Sequence, residues 1–453
     1  MDRMRRQVLR QMASLATLAG ASAVGSSCAN AVFAASESES GPLTVVEVGR
    51  YRRGRTGALP KIIRTPAQLV ADKLVIPYDR NSVLTKERRN AYRYKPGDFG
   101  DVGLASYMGG TGERQEIGVE TDATADWLMG GSPNNMLAQA EAHGSVPVHF
   151  IAPDGRIVDA VKYRTGNSYS ASKGSPFFSA SGGGIEPEYA HYPSLCYVAY
   201  LATGDQYYLE ELQFAATFQI ISRPPDYRGF AKPIIDDGQI RGLAWGLREV
   251  AKAYVATPDQ VSGILLPKSY WKGVVDNLRV YFEQRIAGTR KATYHRGASA
   301  SLGTLERAIH QFHSYGASEG LFAPWQNDYL CQVLGWMIWT GRFPEWQPVY
   351  DFFIKGQIMR ATGPLRSQAI HYWMEPKGAT DWPSLLAANG RGKPTDDHHF
   401  PSWVRKEVAH YPGLLRMALG LAVKNGVAGA KEAYDYAHAE SRRIGLISVR
   451  HAV

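Results

Sequence analysis

The chain has 453 residues, 44% of them hydrophobic and 21% charged, with 46 glycines and 25 prolines. That balance excludes a disordered, collagen-like or polytopic membrane protein and leaves enough apolar material for a sizeable core. The formal net charge of +9 comes without a long Lys/Arg block or an RNA-type aromatic motif, so no nucleic-acid partner is expected.

Residues 1–34 read as an export signal. Arg3, Arg5, Arg6 and Arg10 precede a small and apolar stretch from Met12 to Val24, and Ala29-Asn30-Ala31 and Val32-Phe33-Ala34 offer small-residue cleavage sites. The run Arg5-Arg6-Gln7-Val8-Leu9-Arg10 resembles the twin-arginine consensus. A periplasmic or secreted protein, exported after folding, is the expectation. Four arginines against Asp2 leave with such a leader, so the mature chain keeps about +6, a balance suited to an acidic glycan or an anionic surface. Cys28 leaves too. Cys196 and Cys331 remain in apolar surroundings and read as buried thiols, with a bridge between them still open.

Residues 35–115 read as a linker followed by a strand and loop segment, with short apolar runs such as Leu74-Val75-Ile76 and turn clusters such as Lys95-Pro96-Gly97-Asp98. From 116 to 453 the pattern is helical. Thr124–Met129 and Asn134–His143 open it, the second behind a Ser132-Pro133 cap. A hairpin around Asp154-Gly155 follows, and the Ser- and Gly-rich stretch from Thr165 to Gly184 reads as a loop.

Helical hairpins then succeed one another: Tyr192–Ala202 with Gln206–Ile221, Ile240–Ala256 with Tyr270–Ile286, and Trp325–Trp339 with Pro344–Met359. Each pair breaks at Thr203-Gly204, Thr257-Pro258 or Thr340-Gly341, where glycine and proline stop a helix. Leu365–Met374, Trp382–Ala388, Val404–Val423 and Ala428–Arg442 complete the set, and Ala287–Ala323 reads as a long functional loop. The expected fold is mainly α: a monomeric α/α toroid of antiparallel hairpins, with a small N-terminal strand segment and a β-hairpin insertion.

The segment Glu186-Pro187-Glu188-Tyr189-Ala190-His191-Tyr192-Pro193-Ser194, with Arg241-Gly242-Leu243-Ala244-Trp245 and Trp325-Gln326-Asn327-Asp328-Tyr329, resembles a group of uncharacterised exported bacterial toroid proteins. The resemblance covers about residues 105–400, starts at Gly109-Gly110-Thr111-Gly112-Glu113-Arg114, and implies fold more than activity. A looser similarity is to toroidal polysaccharide lyases of the alginate lyase type, whose Asn-Asn-His is replaced here by Gln326-Asn327-Asp328. The carboxylate in place of histidine is compatible with the hydrolysis performed by other α/α-barrel enzymes.

The expected function is therefore cleavage of a polysaccharide. Hydrolysis needs one carboxyl as acid and one as base or nucleophile, and Glu188 and Asp328 are the candidates, with His191 as their partner. Arg241, Trp245, Tyr192, Trp325, His295 and Arg114 are the candidate substrate-binding residues: guanidinium groups for carboxylates or hydroxyls, aromatic rings for stacking. If His191 or His295 instead acts with a tyrosine and Arg241, β-elimination from a uronic acid replaces hydrolysis. A glycan-binding protein without catalysis is the third possibility. No metal and no cofactor is expected.

Overall fold

The computed structural model describes residues 44–45, 59–83, 102–105, 114, 116–146, 148–162, 187–223, 227–229, 232–235, 238–291, 300–314, 320–362, 374–389, 411–444 and 449–453. The expected leader, Gly109–Glu113, the expected loop from Thr165 to Gly184, His295 and the segment Leu365–Tyr372 lie outside these residues.

The described chain is mainly helical. Two two-residue strands, β1 (Thr44–Val45) and β2 (Phe150–Ile151), pair antiparallel with Thr44 opposite Ile151. The expected hairpin reduces to a bridge between Ile151 and Ile157 around Gly155, which takes φ 79°.

The helices are α1 (Pro66–Ala71), α2 (Asp122–Leu128), α3 (Pro133–Ala142), α4 (Tyr197–Thr203), α5 (Gln206–Ile221), α6 (Ile240–Ala256), α7 (Lys268–Ile286), α8 (Ala300–Ile309), α9 (Pro324–Thr340), α10 (Gln347–Thr362), α11 (Trp382–Ala388), α12 (Tyr411–Lys424) and α13 (Ala430–Ile444). Their starts follow the side chains that satisfy unpaired N–H groups. Thr121 accepts from the Thr124 amide, Ser132 from Asn134 and Asp205 from Tyr207.

The threonine stops have a shared geometry. The hydroxyls of Thr203 and Thr257 donate to the carbonyls of Ala199 and Ala253, and that of Thr340 to Met337, each at 2.7 Å. Gly204 and Gly341 then take left-handed φ values of 68° and 67°, a region a side chain disfavours. Each hydroxyl adds a bond to a carbonyl of the last turn, and after Thr203 and Thr340 the glycine turns the chain.

Packing sorts these helices. Nearly every residue of α6 and α9 is buried, and α6 carries Arg241, Arg248, Glu249 and Lys252 into the interior with it. By contrast α7 buries one face only, through Trp271, Val274, Val275, Leu278, Tyr281 and Phe282. Helix α6 packs on α4, α5, α7 and α9; α9 packs on α6, α10 and α12; α12 packs on α13, and α10 on α7 and α13. The C-terminal turn Val449–His451 touches both α12 and α2, and the Arg450 amide donates to Asp122 Oδ1 at 2.9 Å.

Three expectations change. Ala287–Ala323 is not one loop, because α8 occupies Ala300–Ile309 and buries Leu302, Leu305 and Ile309. The helix expected from Tyr192 starts at Tyr197, since the residue before a proline avoids helical backbone and Tyr192 sits at ψ 125° ahead of Pro193. Pro344–Trp346 forms a tight turn leading into α10 rather than its first turn.

Helix α10 also shows why a helix keeps a glycine. A β-carbon on Gly356 would lie 2.6 Å from the carbonyl oxygens of both Ile309 and His310. Gly356→Ala, which on propensity alone would stabilise the helix, is therefore expected to lower stability by about 1–3 kcal/mol through overpacking. Denaturant unfolding checks the sign.

Candidate functional site

The backbone from Pro187 to Cys196 is not regular secondary structure apart from the single turn Tyr189–His191. Its polar groups are held by side chains instead. Arg114 Nη2 donates to the His191 carbonyl at 3.3 Å, Arg248 Nη2 to the Tyr192 carbonyl at 2.6 Å, and Lys252 Nζ to Ser194 Oγ at 3.0 Å. The turn packs against α6.

This placement brings Glu188 and His191 together. Nδ1 of His191 and Oε2 of Glu188 form a short hydrogen bond, so with a neutral ring the proton sits on Nδ1 and the lone pair on Nε2. His191 Nε2 is buried and has no hydrogen-bond partner among the described residues. The Glu188 side chain is 29% exposed, so the pair reaches solvent through its carboxylate.

Arg241, the second residue of α6, stands by this pair. Its Nη2 donates to Gln239 Oε1 at 2.6 Å and its amide to Gln326 Oε1 at 3.2 Å, and its guanidinium lies 5.3 Å from the centre of the Trp325 ring. Gln326 Oε1 also accepts from Ser314 Oγ at 2.9 Å. These bonds fasten the first turns of α6 and α9 to each other. Arg114 is held by Glu116 at 2.8 Å.

Electrostatics give the two members different tasks. Burial, then Arg241, pushes the His191 imidazole down to about 4 against the pull of Glu188, with Arg114 adding to the downward push. Burial alone would raise the Glu188 carboxyl, but His191 and Arg241 outweigh it and hold it below the usual carboxylate range. At neutral pH the pair is a carboxylate orienting a neutral imidazole. A histidine that resists protonation when folded makes the folded state lose stability as pH falls from about 6.5 to about 4, since the unfolded chain takes up the proton first. Melting temperature against pH for wild type and His191→Gln is expected to differ in slope within that window.

Asp328 has its own partner. It is the fifth residue of α9, past the first turn, and its carboxylate pairs with Arg360 of α10, both nearly inaccessible. Arg360 Nη2 also donates to Gln357 Oε1 at 2.7 Å. Burial pushes the Asp328 carboxyl up to about 7, against the opposing pull of Arg360. No hydrogen bond or ion pair links it to Glu188 among the described residues.

The aromatic candidates are interior. Trp245 is fully buried, 4.5 Å from Tyr329 by ring centres and beneath the Arg248 guanidinium at 4.6 Å. Tyr192 is fully buried with its hydroxyl on His143 Nε2 at 2.8 Å. Trp325 is 4% exposed and carries Arg241. Cys196 and Cys331 are both buried and unbridged.

A second Glu–His pair escaped the sequence reading. Glu306 of α8 accepts from the His313 amide at 3.0 Å, contacts the His313 ring and pairs with Arg285 at 2.8 Å. Its sign in the sequence is the Leu302, Leu305, Ile309 spacing of a helix, which places Glu306 one residue past the apolar line. No family, curated protein or solved structure matches the chain.

Proposed function

We propose that the Glu188–His191 pair, with Arg241 and Arg114 beside it, cleaves an acidic polysaccharide by β-elimination. The observation that carries this is the neutral imidazole, oriented through Nδ1 by a carboxylate and flanked by two guanidinium groups. A uronic acid needs that combination. Cations beside its carboxylate acidify the adjacent C5–H, and a base must then remove the proton.

In this reading His191 Nε2 takes the C5 proton. The C–H electron pair becomes the C4=C5 double bond, the C4–O bond breaks, and the leaving oxygen receives the proton from the imidazolium on the same face. Glu188 is a positioning residue that fixes the ring and its tautomer. Arg241 and Arg114 hold the substrate carboxylate, and the basic balance of the mature chain draws a polyanion toward them.

The α/α toroid remains part of the proposal. Supporting it are the row α4, α6, α9 and α12, the second row α7, α10 and α13, and the contact of the C-terminal turn with α2. Export by the twin-arginine-type leader places the reaction in the periplasm or outside the cell.

One observation favours the hydrolytic alternative: an Asp328 carboxyl lifted to about 7 can hold a proton near neutrality, as a glycosidase acid must. A panel of acidic and neutral glycans separates the readings. New near-ultraviolet absorbance from the unsaturated sugar supports elimination, and reducing ends without that absorbance move the chemistry to Asp328. Binding without either product leaves a glycan-binding protein.

A further inference from the structure

Away from the Glu188–His191 pair, three side chains of metal-ligand type meet inside the protein. His143 follows α3, His149 precedes β2, and Glu211 lies in α5. All three are buried, at 1%, 0% and 0% exposure, and one ligand atom from each lies within 4.8 Å of the others. His143 Nδ1 and His149 Nε2 both contact the same carboxylate oxygen, Glu211 Oε2, at 2.7 and 2.8 Å.

Two features of this cluster point beyond a hydrogen-bonded histidine pair. Glu211 Oε1 is buried and has no hydrogen-bond partner among the described residues, and a carboxylate oxygen left so costs free energy that a cation recovers. Moreover, no lysine or arginine forms an ion pair with Glu211 among the described residues; its contacts are to the two imidazoles. A carboxylate wholly removed from water needs a positive partner.

We propose that His143, His149 and Glu211 bind a zinc ion. Two imidazoles and a carboxylate are nitrogen and oxygen donors of the kind zinc takes, and the second Glu211 oxygen adds a longer contact that distorts the tetrahedron. Zinc–ligand bonds of about 2.0–2.2 Å would separate the two imidazole nitrogens and Oε2 by about 3.3 Å, so the contacts on Oε2 widen and the nitrogens, within 4.8 Å of each other, adjust to match. The remaining ring nitrogen of His143 is already engaged by the Tyr192 hydroxyl at 2.8 Å, the outer-shell contact that fixes a ligating imidazole.

The site is structural. It ties α5 and the chain on either side of Pro147 to Tyr192, which immediately follows His191, and thereby anchors the irregular segment that carries the Glu188–His191 pair. The inference stands independently of the proposed elimination, because it requires only that the chain fold.

The test uses the full chain, exported and purified from a zinc-replete host. Elemental analysis is expected to find zinc in stoichiometric amount. Prolonged dialysis against a chelator should lower the melting temperature, and zinc alone should restore it. X-ray absorption at the zinc edge should show two imidazoles. His149→Gln and Glu211→Gln should lose the stoichiometric ion; where either fails to fold, competition of the wild-type chain with a chromophoric zinc chelator gives the affinity directly. Wild-type protein that takes up no stoichiometric zinc overturns the proposal, as does a folded His149→Gln that retains it or an absorption spectrum without imidazole.

Discussion

Lys252→Met is expected to lower the free energy of unfolding by about 3–5 kcal/mol, the usual cost of stranding one member of a buried ion pair. Lys252 is wholly inaccessible; its ammonium donates to Glu120 Oε1 at 2.7 Å, to the Val119 carbonyl at 2.6 Å and to Ser194 Oγ at 3.0 Å. It also lies 5.0 Å from the centre of the Tyr197 ring. Removing it leaves the Glu120 carboxylate uncompensated in the interior. The double variant Lys252→Met, Glu120→Leu should recover much of the loss, because neither charge then has to be desolvated. Denaturant unfolding of the two singles and the double measures the coupling. A single variant near wild-type stability would show that Glu120 is already neutral in the folded protein.

His191→Gln is expected to cut turnover on an acidic glycan by about 10²–10⁴-fold with the fold intact, the range for losing a general base. The acid limb of kcat/KM in the wild type should fall near pH 4 rather than near 6.5, because burial and Arg241 keep the imidazole neutral. Glu188→Gln should move that limb lower still, since Glu188 is the group that raises the His191 value, and a weaker base should turn over more slowly. A variant that merely unfolded locally would lose rate without moving the limb. Asp328→Asn supplies the contrast: under elimination it alters stability through Arg360, whereas under hydrolysis it removes turnover by orders of magnitude.

The helical class and several helix bounds were legible in the sequence because its helices are punctuated. Gln206–Ile221, Ile240–Ala256 and Trp382–Ala388 have the bounds that their caps and stops indicate. Helix α8 was obscured by the arginines and histidines around it, although Leu302, Leu305 and Ile309 carried the period. The Glu188–His191 contact was legible because both partners lie three residues apart in one turn. Asp328 with Arg360, and His143 and His149 with Glu211, were not. Those partners lie on separate elements, and no local periodicity reports which helices become neighbours.

The stretch Pro187–Cys196 has a consequence for anyone altering this protein. A strand or helix brings its own hydrogen bonds when moved, but this stretch borrows them from Arg114 and Arg248 for its carbonyls and from Lys252 for the Ser194 hydroxyl. Grafting it onto another scaffold, or swapping α6 for a homologous-looking helix, would leave its carbonyls bare and let the imidazole drift. Variants selected for altered properties should therefore keep Arg248 and Lys252 unchanged.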